Sequence, residues 1–433
     1  MLGSIVLFAI SYVLIATEKV DKTAAALLGG SAGILLGLVP HEAALEAIDL
    51  NVVFLLMGMM IVVNILAGTG LFEWVAVTIA RAAKGDGARI LLLFLAATAV
   101  LSALLDNVTT VILIAPITIL ICEILELEAV PFLVLEAVAS NVGGTATLIG
   151  DPPNVLIASA TGLSFNEFVL HLAPAVAVMM LLGLPLVMLY GKRSFQVRED
   201  LKERLLRARP DKAILEPVRL KRALAVFGGM LVAFFASHSL HIEPGIIAIT
   251  GALVMAIVCR VDLHHALEKV EWNSIFFFVG LFMLIGALEH NHVFESLGLT
   301  ILDVTAGNFA ATALVVLWFA AIASAIVDNI PLVIAMIPLI RTIVPVFADH
   351  MGVTDPEVIR LQIEEPLYWA LALGACLGGN GSLVGASANV VVAQIARRNR
   401  YDFTFWAFTR MGLPVMLGTT AIASVYLWVR YLA

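Results

Sequence analysis

Long apolar stretches alternate with short polar clusters along this chain, on the length scale of a bilayer. A spanning helix needs about 20 mostly apolar residues. Stretches approaching that length cover residues 2–16, 23–39, 51–67, 131–160 and 172–190 in the first half, and 223–237, 244–260, 273–288, 366–396 and 413–432 in the second. Residues 71–84 are amphipathic, with Trp74, Val75 and Ile79 set against Glu73, Arg81 and Lys84, and are expected to lie at the interface. Segments 90–105 and 111–122 are apolar but short, and Asp106-Asn107-Val108-Thr109-Thr110 separates them. That pattern predicts a re-entrant hairpin, as does its counterpart in 310–347.

Two of the stretches are interrupted. Residues 140–154 read SNVGGTATLIGDPPN, and 378–389 read GGNGSLVGASAN. Proline removes a backbone donor, and glycine and short polar side chains weaken the helix, so both predict broken helices. In lipid, a break is tolerated only against protein or a wet cavity. The two halves also share a register. Asn51 and Asn273, Gly58 and Gly280, Asp106 and Asp328, and Pro116 and Pro338 are each 222 apart, whereas Gly143 and Gly378, Gly150 and Gly385, and Asn154 and Asn389 are 235 apart. The 13 added residues are expected in the polar loop 349–365. Two repeats follow: 1–190, with a hairpin near 90–122 and a broken helix at 131–160, and 223–433, with a hairpin near 310–347 and a broken helix at 366–396. A linker, 191–222, joins them. Five crossings per repeat make the repeats inverted relative to each other. The predicted fold is an all-α membrane protein with about 10 transmembrane helices, two re-entrant hairpins and two broken helices.

Composition fits this reading. Of 433 residues, 61% are hydrophobic and only 13% charged, too few for the surface of a soluble chain of this length. The first apolar run lacks a basic n-region and a cleavage site, and is expected to be a retained helix. With 192–222 in the cytoplasm, every basic residue except Arg341, Arg360 and Arg430 falls on the cytoplasmic side, which predicts both termini on the opposite side. Cys122, Cys259 and Cys376 are isolated, so neither a disulfide framework nor a metal site is expected. No nucleotide-binding loop is present, so any ATPase would be a separate subunit. The net charge of −8 gives no nucleic-acid signal.

The candidate chemistry lies at the two hairpin tips and the two breaks, which an inverted fold brings together near the midplane. The candidate binding groups are Asn107, Thr109, Thr110, Asn141, Gly143, Gly144, Thr145, Thr147, Asn154, Asn329, Gly378, Gly379, Asn380, Ser382, Ser387 and Asn389. The amides and hydroxyls offer neutral donors and acceptors, and the glycines would let backbone approach a ligand. Asp106, Asp151 and Asp328 are the candidate proton or ion carriers, since an intramembrane carboxylate is costly and by default functional. The plainer reading is that each is a helix cap or turn residue. Neither Lys nor Arg occurs within the four clusters, which favours a cation, a proton or a neutral polyol-like solute over a multiply charged anion. Glu136 is a further acid, Cys376 a thiol within reach of a soft metalloid, and His238, His241, His264, His265, His290 and His292 read as interfacial. An intramembrane aspartyl protease is the competing class, but beyond Tyr401-Asp402 no G-x-G-D follows.

On LDNVTT at 105–110 and the two broken-helix motifs, the chain resembles the ion transporter superfamily, in the arsenite permease and sodium/proton antiporter branch that includes P protein-like transporters. The resemblance implies a scaffold built from the early helices of each repeat, a transport part holding hairpins and broken helices, and secondary-active alternating access. Tips reading Asp106-Asn107-Val108 and Asp328-Asn329-Ile330 lack the Ser-Asn-Thr pattern of the dicarboxylate branch. The second break, ending in Gly385-Ala386-Ser387-Ala388-Asn389, is closer to the P protein group than to arsenite permeases. The expected function is proton-coupled efflux of arsenite or antimonite, with sodium/proton antiport or small-anion transport as alternatives. The expected partners are a small inorganic solute, a coupling proton or cation and membrane lipid, with a homodimer left open. No cofactor is expected.

Overall fold

A computed structural model describes the backbone of all residues except 18–19, 207–209, 292 and 294–306; Lys19, Arg207, Arg209 and His292 therefore lie outside the described residues. The chain is all helical there. Its helices are α1 (Leu2–Thr17), α2 (Lys22–Leu35), α3 (His41–Glu46), α4 (Leu50–Ala67) and α5 (Leu71–Ala82), then the first hairpin, α6 (Gly87–Leu104) and α7 (Asn107–Ile124). The first broken helix is α8 (Ala129–Gly144) and α9 (Pro152–Thr161), followed by α10 (Phe165–Ser194) and the short α11 (Glu199–Leu206). The second half holds α12 (Pro217–Leu240), α13 (Pro244–Cys259), α14 (Leu263–Glu268) and α15 (Trp272–His290). The second hairpin (Phe309–Ile326, Asn329–Met351), the second broken helix (Glu365–Gly378, Ser387–Arg398) and a closing helix (Phe405–Leu427) complete it. Among the described residues, nine helical segments are long and apolar enough to cross a membrane, and three shorter apolar helices, α1, α8 and α13, accompany them. This is a multi-pass, all-α membrane protein.

Helix ends recur at the sequence offset. α2, α3, α4 and α6 begin 222 residues before α13, α14, α15 and the first arm of the second hairpin, and α9 begins 235 before Ser387–Arg398. The two halves nevertheless interlock: α4 packs on α13, and α2 packs on α15. Each contact depends on a glycine. A Cβ at Gly58 would stand 2.5 Å from the Ala248 carbonyl carbon, and one at Gly280 2.5 Å from the Leu27 nitrogen. Polar contacts repeat in the same way, with Thr23 donating to the Asn273 carbonyl (2.9 Å) and Gly245 N–H donating to Asn51 Oδ1 (2.7 Å).

Three expectations change. The arms of the first hairpin are each 18 residues, long enough by length and apolarity to count among the nine segments, so shortness is not what marks the hairpin. Hydropathy stopped at the polar flanks, whereas the helix starts at its cap, where Asp86 accepts the Arg89 N–H at 2.9 Å. By the same effect α10 runs over Phe165–Ser194, through Pro174 and Pro185, and α12 starts at Pro217, so the linker shrinks to 195–216. The extra residues of the second half are only partly loop: the second hairpin arm continues to Met351, and a helical turn at Pro356–Ile359 leads into the broken helix.

The glycine crossings give a stability prediction. Gly58→Val and Gly280→Val force side chains into neighbouring backbone and should each cost at least ~3 kcal/mol, the upper end of ordinary overpacking. Gly228→Ala, where nothing lies within 4 Å of the added carbon, should be neutral. Thermal unfolding followed by size-exclusion fluorescence in detergent checks this; a wild-type melt for Gly58→Val contradicts it.

Candidate functional site

The hairpin tips and the breaks meet at the centre of the fold. Residues 132–158 are buried without interruption, as are 365–383. Each break bares carbonyls that cannot find water, and side chains take them up. Asn154 Nδ2 donates to the carbonyls of Thr147 (2.8 Å) and Thr145 (3.1 Å). Asn389, 235 residues on, donates to the carbonyls of Ser382 (3.0 Å) and Gly379 (2.7 Å). Hydroxyls fasten the hairpins alongside. Ser102 donates to the Ser140 carbonyl and Ser324 to that of Ala375, both at 2.7 Å. Thr147 and Ser382 donate to the carbonyls of Ala103 and Ala325. Ser102 and Ser324 lie outside the polar clusters that mark the candidates, although each stands four residues before a tip aspartate, Asp106 and Asp328, at the same 222-residue offset.

The glycines serve this packing. A Cβ at Gly143 would lie 2.2 Å from the Ala99 carbonyl oxygen, one at Gly378 2.4 Å from that of Ala321, and one at Gly144 2.4 Å from that of Gly150. Gly379 has Ala386 Cβ at 3.0 Å. The close approach seen at these glycines is to the hairpins and the turns.

Between the two halves of the chain, Asn141 Nδ2 donates to the side-chain oxygens of Asn380 and Asn389, both at 3.0 Å; within the first half, Asn107 donates to Asn141 Oδ1 at 3.2 Å. Asn329 of the second tip reaches Asp151 Oδ1 of the first break at 3.4 Å. The Cys376 thiol donates to Asn154 Oδ1 at 3.6 Å. Thr145 bonds back to its own helix at the Asn141 carbonyl, and Thr109 offers its N–H to Asp106. Among the described residues, Asn107 Oδ1, Thr110 Oγ1, Asp151 Oδ2 and Asn380 Nδ2 are buried here without a hydrogen-bond partner.

The three aspartates differ. Asp106 caps α7 through Thr109 N–H at 2.8 Å, and Asp328 caps its helix through Ile330 N–H at 3.2 Å. Asp151, the residue whose sequence most suggested a turn, makes no side-chain cap. The expectation that the tips have no basic neighbour fails for Asp328. Lys22 Nζ lies 3.8 Å from Asp328 Oδ2 and 2.9 Å from Ser387 Oγ, and Ser387 donates to that same Oδ2 at 2.6 Å. Lys22 is remote in sequence, and hydropathy marked it only as the polar start of a crossing. Glu136 is buried beside Thr118, away from the tips, with Oε1 accepting at 2.6 Å. His238 and His241 line a cavity of about 250 Å³ with Asn51, Ser159 and Glu243; another of about 300 Å³, holding Asp49, Glu289 and Arg341, flanks the same end of α9.

A multi-pass helical protein whose helices break around a polar centre has the build of a membrane transporter. Comparison with known proteins gives the same class: residues 12–374 match the CitMHS family, described as citrate transporter, and the chain belongs to that family. An uncharacterized transporter of Mycobacterium bovis is 41% identical over 99% of this chain and 98% of its own length. A 46 kDa membrane protein of Mycobacterium leprae is 40% identical over the same shares. The P protein of Homo sapiens is 34% identical over 97% of this chain, which spans 59% of that protein.

The caps separate the aspartates experimentally. Asp106→Ala should lose ~1 kcal/mol of stability and Asp106→Asn almost none, since asparagine caps equally well. Asp151→Asn should leave the melt unchanged for lack of a cap to lose. Thermal melts of the three variants in one detergent test this, and a large loss in Asp106→Asn would count against the cap.

Proposed function

We propose that this transporter is secondary-active and exports trivalent arsenite or antimonite, as the neutral hydroxide, in exchange for protons. The observation that carries the reading is the chemistry of the centre. Its binding groups are carboxamides and hydroxyls, Asn107, Thr110, Asn141, Asn329 and Asn380 among them, with the Cys376 thiol beside Asn154. Such a surface matches a small uncharged solute bearing several hydroxyls, and thiols have affinity for trivalent arsenic. A tricarboxylate of the kind the family description names would meet Asp106, Asp151 and Asp328 against Lys22 alone. Asp106, which makes no ion pair among the described residues, is the first candidate for the coupling proton. Asp328 shares its charge with Lys22. The second reading is sodium/proton antiport, favoured by the buried, unpartnered Asp151 Oδ2, an oxygen available to a cation.

In this reading the helices α1–α4 and α12–α15 are the scaffold. The hairpins, broken helices, α10 and the closing helix move against it as one body. The bilayer is an inner or plasma membrane, with residues 195–216 in the cytoplasm and both termini outside it.

Purified protein in vesicles under an imposed pH gradient, offered arsenite, sodium, citrate and chloride in parallel, tests the reading. Arsenite should accumulate only with the gradient, and Asp106→Asn should bind solute yet fail to accumulate it. Sodium or citrate flux without arsenite flux overturns the proposed solute. Full accumulation by Asp106→Asn overturns its coupling role.

A further inference from the structure

Lys22 is the first residue of α2, and its ammonium reaches sideways into the other group of helices. It donates to Ser387 Oγ at 2.9 Å, Ser387 donates to Asp328 Oδ2 at 2.6 Å, and the ammonium itself lies 3.8 Å from that oxygen. The Phe277 ring of α15 lies under it, 5.1 Å from centroid to nitrogen. One side chain of the early helices thus ties down both the second hairpin tip and the second half of the second broken helix. Among the described residues, it makes the only ion pair that joins these two groups of helices. The pair is half-sheltered, with the Lys22 side chain 34% exposed and that of Asp328 13%.

The repeat offset makes this contact informative. Asp328 corresponds to Asp106, Ser387 to Pro152, and Lys22 to Pro244. The carboxylate therefore has a partner in the other repeat, while the hydroxyl and the ammonium do not. An inverted-repeat transporter exchanges the surroundings of its two tips as it moves between end states. In the exchanged arrangement Asp106 would face Pro244, which offers neither an ammonium nor a hydroxyl where Lys22 and Ser387 hold Asp328.

We propose that Lys22 is a one-ended latch: through Ser387 and Asp328 it holds the hairpin and broken-helix group at the end of the scaffold where α2 and α15 begin, so that the two end states of the transport cycle are unequal in population. The latch rests on the alternating-access reading above. A ligand or state with no differential contact shifts no equilibrium, and this contact exists in one state only.

Spin–spin distances in lipid nanodiscs test it. Labels on Ile257→Cys in α13 and Val425→Cys in the closing helix, both well exposed, report the separation of the two groups, while the native cysteines are buried. The parent should show mainly one distance. Lys22→Gln should move the population toward a second distance by roughly tenfold in the equilibrium ratio, within the range of known coupling. Ser387→Ala should do the same without changing charge, and Lys22→Arg should restore most of the parent distribution. Lys22→Gln combined with Asp328→Asn should go no further than either alone, because the two act through one contact. If the parent shows two distances and neither Lys22→Gln nor Ser387→Ala alters their ratio, the latch is wrong and alternating access stands. If one distance persists in the parent and every variant under all solutes and pH gradients, alternating access itself is wrong.

Discussion

A backbone interrupted inside a membrane has no water to satisfy it, so every carbonyl and N–H freed by a break needs a partner within the protein. The rest of this structure depends on how that requirement is met. Two asparagines, Asn154 and Asn389, each reach back across a turn to the carbonyls their broken helices leave open. Two hairpins then press their small faces against the breaks, fastened by Ser102 and Ser324. The glycines follow from that pressing, since Ala99 and Ala321 occupy the space a side chain would need. The amide cluster of Asn107, Asn141, Asn380 and Asn389 joins the two halves of the chain at their centre. The breaks, tips and amides therefore form one packed unit.

Charge is distributed around that unit with economy. The binding groups at its centre are neutral, its three aspartates sit at helix N-termini, and one lysine arrives from a different group of helices. Two aspartates cap, one does not, and the uncapped one retains a free oxygen. At the 222- and 235-residue offsets the helix starts agree, while the side chains differ, Lys22 standing opposite Pro244 and Ser387 opposite Pro152.

Much of this was legible in the sequence, because the membrane makes local signals strong. The broken helices, the paired hairpins and the 222-residue offset were written in glycines, prolines and repeated motifs. Helix lengths were less legible: hydropathy ends where apolar residues end, while α10 and α12 run on through polar residues to their backbone limits. The glycines are legible only in part, because sequence shows that something approaches closely, while the structure supplies Ala99 and Ala321 as neighbours. Lys22 was invisible as a site residue, since it lies 306 positions from Asp328 and nothing local distinguishes it from a lysine marking the membrane edge.

The central claim is that protein, not water, satisfies the two breaks. Hydrogen–deuterium exchange in nanodiscs measures it directly, because exchange reports the opening of each backbone bond. Peptides covering 140–154 and 378–389 should exchange as slowly as those from the middle of α4 and α15, and Asn154→Ala should speed the first set selectively. Exchange of both breaks at the rate of the linker 195–216 in the parent protein would contradict the account.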